Sequence, residues 1–337
     1  MLIRGSAKLI ITKTPFRVSF CGGGSDLASF YEKHGGCVLS TSINKYMYIS
    51  IHPYFNTNQT VLKYSQNEIV DDINQIKHSI FNCVLNELKV SGVEITSTAD
   101  IPAGTGLGSS STFTVGLLHT LHCYTGKYMS KVKLAEQACD IEIIKLGNPI
   151  GKQDQYAAAL GGINFISFDK DGSVSHEPIM MNAETYKRLQ KNLVMFYLGT
   201  DRSANDILNE QSKNMADEAK AKNLLMMCDL AREMKVSLNK NDLSSFGAIL
   251  HESWRLKQSL AANITNPDID TLYEKAIRAG ALGGKLLGAG GGGFMLFYCE
   301  LEKQERLRIA IGLKPMDFSF DRDGTSVVYI GDKYWDD

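Results

Sequence analysis

The sequence predicts an α+β protein with two lobes. Its 337 residues exceed the ~250 to 300 residues at which a single hydrophobic core stops growing. Hydrophobic residues make up 44% of the chain and charged residues 22%, a balance that is typical of packed globular proteins. The spacing of hydrophobic residues predicts both strands and helices in the first half of the chain and mainly consecutive helices in the second half. We therefore predict a mixed N-terminal domain over residues 1–185 and a helix-rich C-terminal domain over residues 186–337.

In the N-terminal domain, alternation of apolar and polar residues predicts strands, and apolar residues at helical spacing predict helices. Glycine-rich segments at 22–24 and 104–108 separate these elements. The predicted strands are residues 7–21, 45–52, 92–99, 164–168 and 174–179. The predicted helices are residues 26–34, 74–90, 110–124 and 131–146.

The C-terminal domain is predicted to begin with a strand and to continue as four consecutive helices. A glycine-rich segment at 288–293 then leads into a short apolar strand. The predicted helices are residues 203–216, 221–236, 240–261, 268–279 and 300–311. The predicted strands are residues 193–198, 294–299 and 326–330.

Composition excludes several classes of partner. Lys and Arg (36) nearly balance Asp and Glu (37), so the chain has no field to attract nucleic acid or an anionic membrane. The seven cysteines are odd in number, scattered and without a C-x-x-C pair, which favours reduced thiols over disulfides or structural zinc. The N-terminus carries no apolar stretch of signal-peptide length. We expect a cytoplasmic protein with a small-molecule ligand, and a homodimer is left open.

A glycine- and serine-rich loop at 102–111 lies between a predicted strand and a predicted helix. Its glycines let backbone N–H groups approach a ligand, and the helix N-terminus favours an anion such as phosphate. The alternative is an ordinary turn in which Ser109 caps the helix. No G-x-x-x-x-G-K-[ST] segment occurs, which excludes a P-loop. The predicted nucleotide-binding residues are Pro102, Gly104, Gly106, Leu107, Gly108, Ser109, Ser110 and Ser111.

The second glycine-rich segment, 288–293, matches G-x-G-x-x-G. A dinucleotide-binding fold needs a strand before this motif and a helix after it. The predicted order is the reverse, so we reject that interpretation. The segment is expected to pack against a bound ligand or against another loop.

Three segments together resemble the GHMP kinases, the family of galactokinase, homoserine kinase, mevalonate kinase and phosphomevalonate kinase. They are residues 14–26 (TPFRVSFCGGGSD), 102–111 (PAGTGLGSSS) and 285–293 (KLLGAGGGG). The resemblance implies an N-terminal lobe like domain 2 of ribosomal protein S5 and a ferredoxin-like C-terminal lobe, with the active site in the cleft between them. It also implies ATP and Mg²⁺ as cofactors.

The resemblance assigns catalytic roles to Asp154 and Arg17. Asp154 matches the family's catalytic aspartate, which would take the proton of the acceptor hydroxyl or orient that hydroxyl electrostatically; both roles stay open. Arg17 matches the basic residue of the first segment and would stabilise charge on the transferring phosphate. The alternatives are an exposed loop carboxylate and a surface arginine on a strand.

Helix geometry places Glu142 on the inward face of the predicted helix 131–146. At 100° per residue around the helix axis, Glu142 projects at an angle between those of Ala135 and Ala138, whereas Glu136 and Asp140 project to the opposite side. A buried carboxylate needs a partner. The family resemblance implies that Ser110 and Glu142 hold Mg²⁺ together.

The substrate end of the site is predicted from the same segments. Asp26 matches the family position that receives sugar hydroxyls, and its alternative role is the N-cap of a helix. Gly23 and Gly24 replace two larger side chains of galactokinases, which makes room for a larger sugar. Gly290 and Gly291 are added as substrate-binding residues. For a phosphate on the sugar we predict Arg202, with Arg255, Lys152 and Lys285 as competitors.

Within the family, the first segment and the sequence GKQDQY at 151–156 are most similar to D-glycero-D-manno-heptose 7-phosphate kinases. The resemblance therefore implies phosphorylation of the anomeric (C1) hydroxyl of that heptose by ATP. The alternatives are another sugar 1-kinase of the family, fucokinase-like or galactokinase-like, and a sugar sensor that binds without transferring phosphate.

Overall fold

The computed structural model describes residues 9–199, 204–214 and 217–331. Strands and helices are interspersed along the chain. The strands form two sheets, one of eight strands and one of three. The predicted α+β class is confirmed. We call the parts of the molecule built around these sheets the large lobe and the small lobe.

The large sheet is organised around one long strand, β2 (Gly36–Pro53). On one side β2 pairs antiparallel with β1 (Ile10–Cys21) along nearly its whole length. On the other side its first half pairs with β6 and its second half with β5. The remaining strands of the sheet are β3 (Thr60–Lys63), β4 (Asn67–Val70), β5 (Val93–Ala99), β6 (Ile163–Phe168), β7 (Val174–Pro178) and β11 (Ser326–Ile330).

Helices of the large lobe cover this sheet and bury a core of aliphatic and aromatic side chains. The central helix, α3, packs on β1 and β2. A π-helical turn, Asp140–Lys145, continues α4. The helices of this lobe are α1 (Ala28–His34), α2 (Ser79–Leu88), α3 (Ser109–Tyr124), α4 (Lys131–Cys139) and α5 (Gln153–Leu160).

The small lobe packs helices against an antiparallel sheet in the order β8–β10–β9. Its strands are β8 (Leu193–Tyr197), β9 (Gly283–Leu286) and β10 (Phe294–Tyr298). Its helices are α6 (Ala183–Asn192), α7 (Ala204–Asn214), α8 (Glu218–Asn239), α9 (Phe246–Gln258), α10 (Pro267–Ala279) and α11 (Leu301–Ile311).

The two lobes are joined by a shared core and by a strand that crosses back. Side chains of β1 belong to the same buried cluster as the small lobe, and Phe20 packs edge-to-face on Phe246 with ring centroids 5.4 Å apart. The last strand, β11, pairs antiparallel with β1 in the large sheet. The predicted domain boundary between residues 185 and 186 stays a prediction.

Several elements differ from the sequence predictions. β2 begins nine residues before the predicted strand, because residues 36–43 are buried on both faces and show no alternation. The short strands β3, β4 and β9 and the helices α5 and α6 were not predicted. Two of the four residues of β9 are glycines, which gives no strand pattern. The helix predicted at 74–90 begins at Ser79, after a 3₁₀ turn at Ile73–Gln75.

No helix in the described ranges has both the length and the hydropathy needed to span a membrane.

Candidate active site

The cleft between the lobes collects most of the residues predicted from the three glycine-rich segments. It is bordered by β1, the loop before α1, the N-termini of α3 and α5, and the loop after β9. The predicted residues that line it are Arg17, Gly23, Gly24, Asp26, Gly104, Gly106, Gly108, Ser109, Ser110, Ser111, Asp154 and Gly290.

The other predicted residues lie elsewhere. Leu107 is fully buried, and its carbonyl accepts a hydrogen bond from the Arg17 backbone N–H at 3.1 Å. Pro102 is on the surface, and Gly291 donates its N–H to the carbonyl of Ile264 at 3.0 Å. Glu142 lies behind Ser110, as described below. Arg202 lies outside the described residues.

The first glycine loop delivers the N-terminus of α3 to the cleft. Gly106 and Gly108 adopt left-handed backbone conformations, with φ of 84° and 81°, which favour glycine. Gly108 is the N-cap of α3 and no side chain caps the helix, so the alternative role of Ser109 as a cap is wrong. The first N–H groups of a helix have no partner within it. They and the helix dipole therefore provide a site for an anion.

The Arg17–Asp154 pair lies beside this helix terminus. Arg17 donates from Nε to Asp154 Oδ1 and from Nη2 to Oδ2, each at 2.7 Å. Its third nitrogen, Nη1, donates to the Gly106 carbonyl at 2.6 Å. Asp154 lies in the first turn of α5 rather than in an exposed loop, and Arg17 is buried, so both alternative interpretations are wrong. A planar, bidentate pair of this kind fixes the direction of the carboxylate.

Glu142 is fully buried, and the inward orientation predicted for it is confirmed. The π-helical turn carries it to Ser110, whose Oγ donates to Oε1 at 2.6 Å. Gln155 Nε2 donates to Oε2 at 2.8 Å. Burial raises the pKa of Glu142, and the hydrogen bonds from Ser110 and Gln155 oppose this shift. Within the described ranges no cationic side chain forms an ion pair with Glu142.

Asp26 is a second buried carboxylate and lies in the loop before α1. It accepts the N–H of Gly24 at 2.9 Å, and the backbone N–H and side-chain Nε2 of Gln153 at 3.2 and 3.1 Å. The N-cap of α1 is Leu27, so the alternative role of Asp26 as that cap is wrong. Burial and then the charge of Asp154 raise the pKa of Asp26. A Cβ on Gly151 would lie 1.9 Å from its Oδ2, so the chain closes tightly around this carboxylate.

Three polar side chains beside Gly23 and Gly24 were missed by sequence reasoning. Ser19 Oγ, Gln153 Oε1 and Gln211 Nε2 are buried in the cleft wall without a hydrogen-bond partner. Buried polar atoms are normally paired, so this group indicates a ligand with hydroxyl groups. Ser19 could have been found because it follows Arg17 on the same face of β1. Gln211 could not, since α7 reaches the cleft only through the tertiary fold.

Two buried lysines also line the cleft. Lys257, on α9, donates to the Gly288 carbonyl, and Lys285, at the end of β9, donates to the Phe20 carbonyl at 3.0 Å. Burial, then the nearby charges of Lys285 and Arg17, hold the pKa of Lys257 well below its usual value. Burial lowers the pKa of Lys285 to about 8.

Among the cations that competed with Arg202, only Lys285 lines the cleft in the described ranges. Arg255 is exposed on α9. Lys152 donates to the Gly172 carbonyl at 2.5 Å and lies over the ring of Tyr31.

The two glycine-rich loops pack against each other through their backbones. A Cβ on Gly288 would lie 2.4 Å from Gly106 Cα, and a Cβ on Gly293 would lie 2.3 Å from the Thr105 carbonyl oxygen. The expected packing of segment 288–293 on another loop is confirmed. A strand precedes this segment, so the reverse order predicted from the sequence is wrong on that side. A second strand follows the segment, so the structure lacks the helix that a dinucleotide-binding motif requires.

Known families and relatives match both lobes. The model of the GHMP kinases N terminal domain matches residues 74–162, and that of the GHMP kinases C terminal matches residues 234–311. The chain is 30% identical to the D-glycero-alpha-D-manno-heptose 7-phosphate kinase of Campylobacter jejuni, over 94% of this chain and 98% of that relative. The chain belongs to the GHMP kinase family. It is therefore a sugar kinase, a phosphotransferase with an alcohol group as acceptor.

Other GHMP kinases support the fold. The crystal structure of a D-glycero-D-manno-heptose 1-phosphate kinase from Bacteroides thetaiotaomicron superposes with a TM-score of 0.78 at 26% identity, over 96% of this chain and 100% of that chain. The galactokinase of Pyrococcus furiosus is 25% identical, over 90% of this chain and 92% of that relative. The predicted two-lobed GHMP kinase fold is confirmed.

GHMP kinases use ATP, usually with Mg²⁺, and the residues of this chain fit both. Ser110 and Glu142 present oxygen atoms only, which is the ligand type that Mg²⁺ prefers. In the part of the chain that the structure describes, Glu142 has neutral hydrogen-bond donors and no cationic partner, so a divalent ion beside Ser110 would balance its charge. The N-terminus of α3 offers free N–H groups to phosphate oxygens.

Proposed function

We propose that this GHMP kinase transfers the terminal phosphate of ATP to the C1 hydroxyl of D-glycero-D-manno-heptose 7-phosphate. The observation that carries the proposal is the Arg17–Asp154 pair in the cleft, beside the N-terminus of α3. The heptose is supported by the Campylobacter jejuni relative, which is named for that substrate. The product, a 1,7-bisphosphate, would enter the synthesis of nucleotide-activated heptose.

In this proposal Asp154 positions the acceptor. Both of its oxygens accept hydrogen bonds from Arg17, and each keeps a lone pair for the acceptor hydroxyl. Asp154 orients that hydroxyl and receives its proton as the new oxygen–phosphorus bond forms. Arg17 holds the carboxylate in place and stabilises negative charge on the transferring phosphate.

The glycine loop and the metal ligands act on ATP. Backbone N–H groups at the start of α3 bind phosphate oxygens and hold the nucleotide in line with the acceptor. Ser110 and Glu142 would hold Mg²⁺, which neutralises phosphate charge when it is bound. Catalysis then rests mainly on positioning and on charge stabilisation.

The acceptor end suits a polyhydroxylated sugar. Asp26, Ser19, Gln153 and Gln211 provide a carboxylate, a hydroxyl and two amides at the end of the cleft near Gly24. These groups can bind several hydroxyls in fixed directions. A Cβ on Gly24 would lie 2.2 Å from Gln211 Nε2, so the space predicted there for a larger sugar is instead occupied by this amide.

The direct test measures ADP release by the wild-type protein with ATP and Mg²⁺ on a series of acceptors. The series contains D-glycero-D-manno-heptose 7-phosphate, galactose, fucose and mevalonate. We expect turnover on the phosphorylated heptose alone. Turnover only on fucose or galactose would show that the protein is a different sugar 1-kinase and would exclude the heptose as its substrate. Binding of ATP and sugar without turnover would instead support the sensor.

A further inference from the structure

Lys257 is a buried cation that the proposed mechanism does not use. Its side chain is only 5% exposed, yet it lines the cleft. Among the described residues its one hydrogen bond goes to the carbonyl of Gly288. An ammonium group has three donors, and buried donors are normally all paired. When it is protonated, Lys257 therefore has two further donors for a ligand in the cleft.

Contacts between the glycine loops locate this ammonium group close to Arg17. Arg17 Nη1 donates to the Gly106 carbonyl at 2.6 Å. Gly106 in turn packs directly on Gly288, whose carbonyl accepts from Lys257. Lys257 and Arg17 thus approach the same pair of loops, one from the small lobe and the other from the large lobe.

The charges that face Lys257 leave it without a counterion. Two of them, on Arg17 and Lys285, are positive, and two, on Asp26 and Asp154, are negative. Asp154 is held by both bonds from Arg17, and Asp26 is held by Gly24 and Gln153. No carboxylate of the described residues forms an ion pair with Lys257. A buried charge without a counterion is costly, so this position favours an incoming anion.

Lys285 is anchored at a different place from Lys257. Its ammonium group binds the carbonyl of Phe20, three residues beyond Arg17 on β1, which is about 10 Å along a strand. It acts on Lys257 by repulsion. Repulsion from Lys285 and Arg17 favours the neutral amine while the cleft holds no phosphate.

We propose that Lys257 binds the terminal phosphate of ATP from the small-lobe side, opposite Arg17. This inference rests on the kinase activity within the proposed function and not on which sugar is the acceptor. As the phosphate enters, the amine takes one proton from solvent and becomes an ammonium ion. During transfer the bond from the terminal phosphorus to ADP breaks and the bond to the acceptor oxygen forms. Lys257 keeps its proton and stabilises the oxygens of the transferring group.

Proton uptake provides the test. ATP and ADP, each with Mg²⁺ and without sugar, are titrated calorimetrically into the protein in two buffers of different ionisation enthalpy at neutral pH. The difference between the two buffers gives the protons taken up. We expect ATP to cause an uptake that ADP does not cause. We expect Lys257→Met to abolish it and to lower kcat by about 10² to 10³-fold.

Two further variants make the result specific. Lys257→Arg keeps a cation that never loses its proton in proteins, so the uptake must also disappear there. Arg255→Met removes an exposed cation two residues away on the same helix and must leave both the uptake and kcat unchanged. Thermal unfolding of each variant establishes that it is folded.

Three outcomes would overturn the inference. They are uptake that persists in Lys257→Met or Lys257→Arg, uptake that is equal for ATP and ADP, and an unchanged kcat in Lys257→Met. In a separate titration without nucleotide, proton uptake caused by the sugar phosphate, together with none caused by ATP, would assign Lys257 to the acceptor and would also overturn the inference. Failure of the heptose assignment is a separate result, because the nucleotide titrations contain no acceptor.

Discussion

The side chains of the cleft carry a charge pattern suited to an anionic substrate. Among the described residues that line the cleft, Arg17, Lys257 and Lys285 face two carboxylates, Asp26 and Asp154. Glu142 lies beside Ser110, where the two side chains would bind a metal ion together. In the proposed mechanism, positive charge would surround the transferring phosphate, and negative charge would lie where the hydroxyl proton leaves.

Replacing Asp154 by Asn tests the position of the acceptor. Asparagine keeps the size of the side chain but loses the charge and one acceptor oxygen, so it orients the hydroxyl poorly and takes no proton. We expect Asp154→Asn to lower kcat by roughly 10² to 10⁴-fold and to leave ATP affinity nearly unchanged. Steady-state ADP release and nucleotide titration measure the two quantities.

The matched control is Asp229→Asn, which neutralises an exposed carboxylate on α8 that pairs with Arg232. It should behave as the wild type. An unaltered kcat in Asp154→Asn would remove this residue from the mechanism.

Replacing Gln211 by Leu tests the acceptor end. The amide Nε2 of Gln211 is buried without a partner beside Gly24, and leucine fills similar space without a donor. A lost hydrogen bond to a sugar hydroxyl costs about 1 to 3 kcal/mol, which is roughly 5 to 150-fold in kcat/KM. We expect this loss to appear in KM for the sugar and not in KM for ATP.

Ser212→Ala is the neighbouring control. It removes a hydrogen bond from α7 to Ser29 Oγ, at 3.1 Å, but not a group in the cleft wall. If Gln211→Leu and Ser212→Ala changed KM equally, the effect would come from the position of α7 and not from the amide.

At the scale of elements, the π-helical turn and the loop contact place the catalytic groups. The turn at Asp140–Lys145 widens the helix that α4 begins and brings Glu142 within 2.6 Å of Ser110. Such turns are frequent at functional sites. The contact between Gly106 and Gly288 joins the phosphate-binding loop to the small lobe. Two elements from distant parts of the chain are thereby held in one geometry.

Replacing Gly288 by Ala tests the loop contact. The new Cβ would lie 2.4 Å from Gly106 Cα, at a residue with φ of 74°. Neither the new Cβ nor Gly106 Cα can move away by a side-chain rotation, so the two loops must separate. The Gly288 carbonyl, which Lys257 contacts, must then move as well. We expect a lower kcat and a loss of unfolding free energy above the ~1 kcal/mol expected from left-handed strain alone. Urea unfolding and ADP release measure the two effects.

Gly312→Ala is the strain-matched control. Gly312 has a φ of 70° at the end of α11, and a Cβ added there would meet nothing within 4 Å. We expect Gly312→Ala to lose unfolding free energy from left-handed strain and to keep the kcat of the wild type. Equal losses of stability in both variants would mean that the loops accommodate the methyl group without separating.

For the whole molecule, the shared core and β11 fix the lobes around the cleft. The buried cluster runs from β1 into the small sheet, and the last strand returns to pair with β1. The cleft therefore has a rigid wall on the side of β1, the strand that carries Arg17 and Ser19. The buried lysines on the facing wall lower the stability of the empty protein, because charged groups lose hydration there.

The pH dependence of stability should reveal this cost. The pKa of Lys285 falls from 10.5 to about 8 on folding, so the unfolded chain binds its proton more tightly. The contribution of Lys285 to stability therefore rises with pH between about 8 and 10.5. We expect Lys285→Met to be stabilised over the wild type by up to roughly 3 kcal/mol at neutral pH, and by less near pH 10.

Urea unfolding of both proteins across this pH range measures the difference. Taking the difference removes the contribution of buried thiols and phenols, which are common to both. Lys275→Met, at an exposed position on α10, should show no such trend. A difference for Lys285→Met that did not change with pH would contradict the shift.

Sequence reasoning was most successful where a residue pattern acts locally. The glycine loop at 102–111 precedes α3 as predicted, and helical spacing placed Glu142 on the buried side. It failed where burial removes the pattern. α5 carries Asp154 but is buried over most of its length, so it shows no amphipathic stripe. β9 consists of two glycines followed by Lys285 and Leu286 and has no alternation.

The sequence by itself determined the family, the two-lobed α+β fold, and the residues of the three glycine-rich segments. These depend on local properties: a positive φ, a helix N-terminus, and the period of apolar residues. Only the tertiary structure brought Lys257 and Gln211 into the cleft and packed Gly288 on Gly106. Such contacts join residues far apart in the chain. They depend on how lobes and loops pack together, which no local pattern of residues encodes.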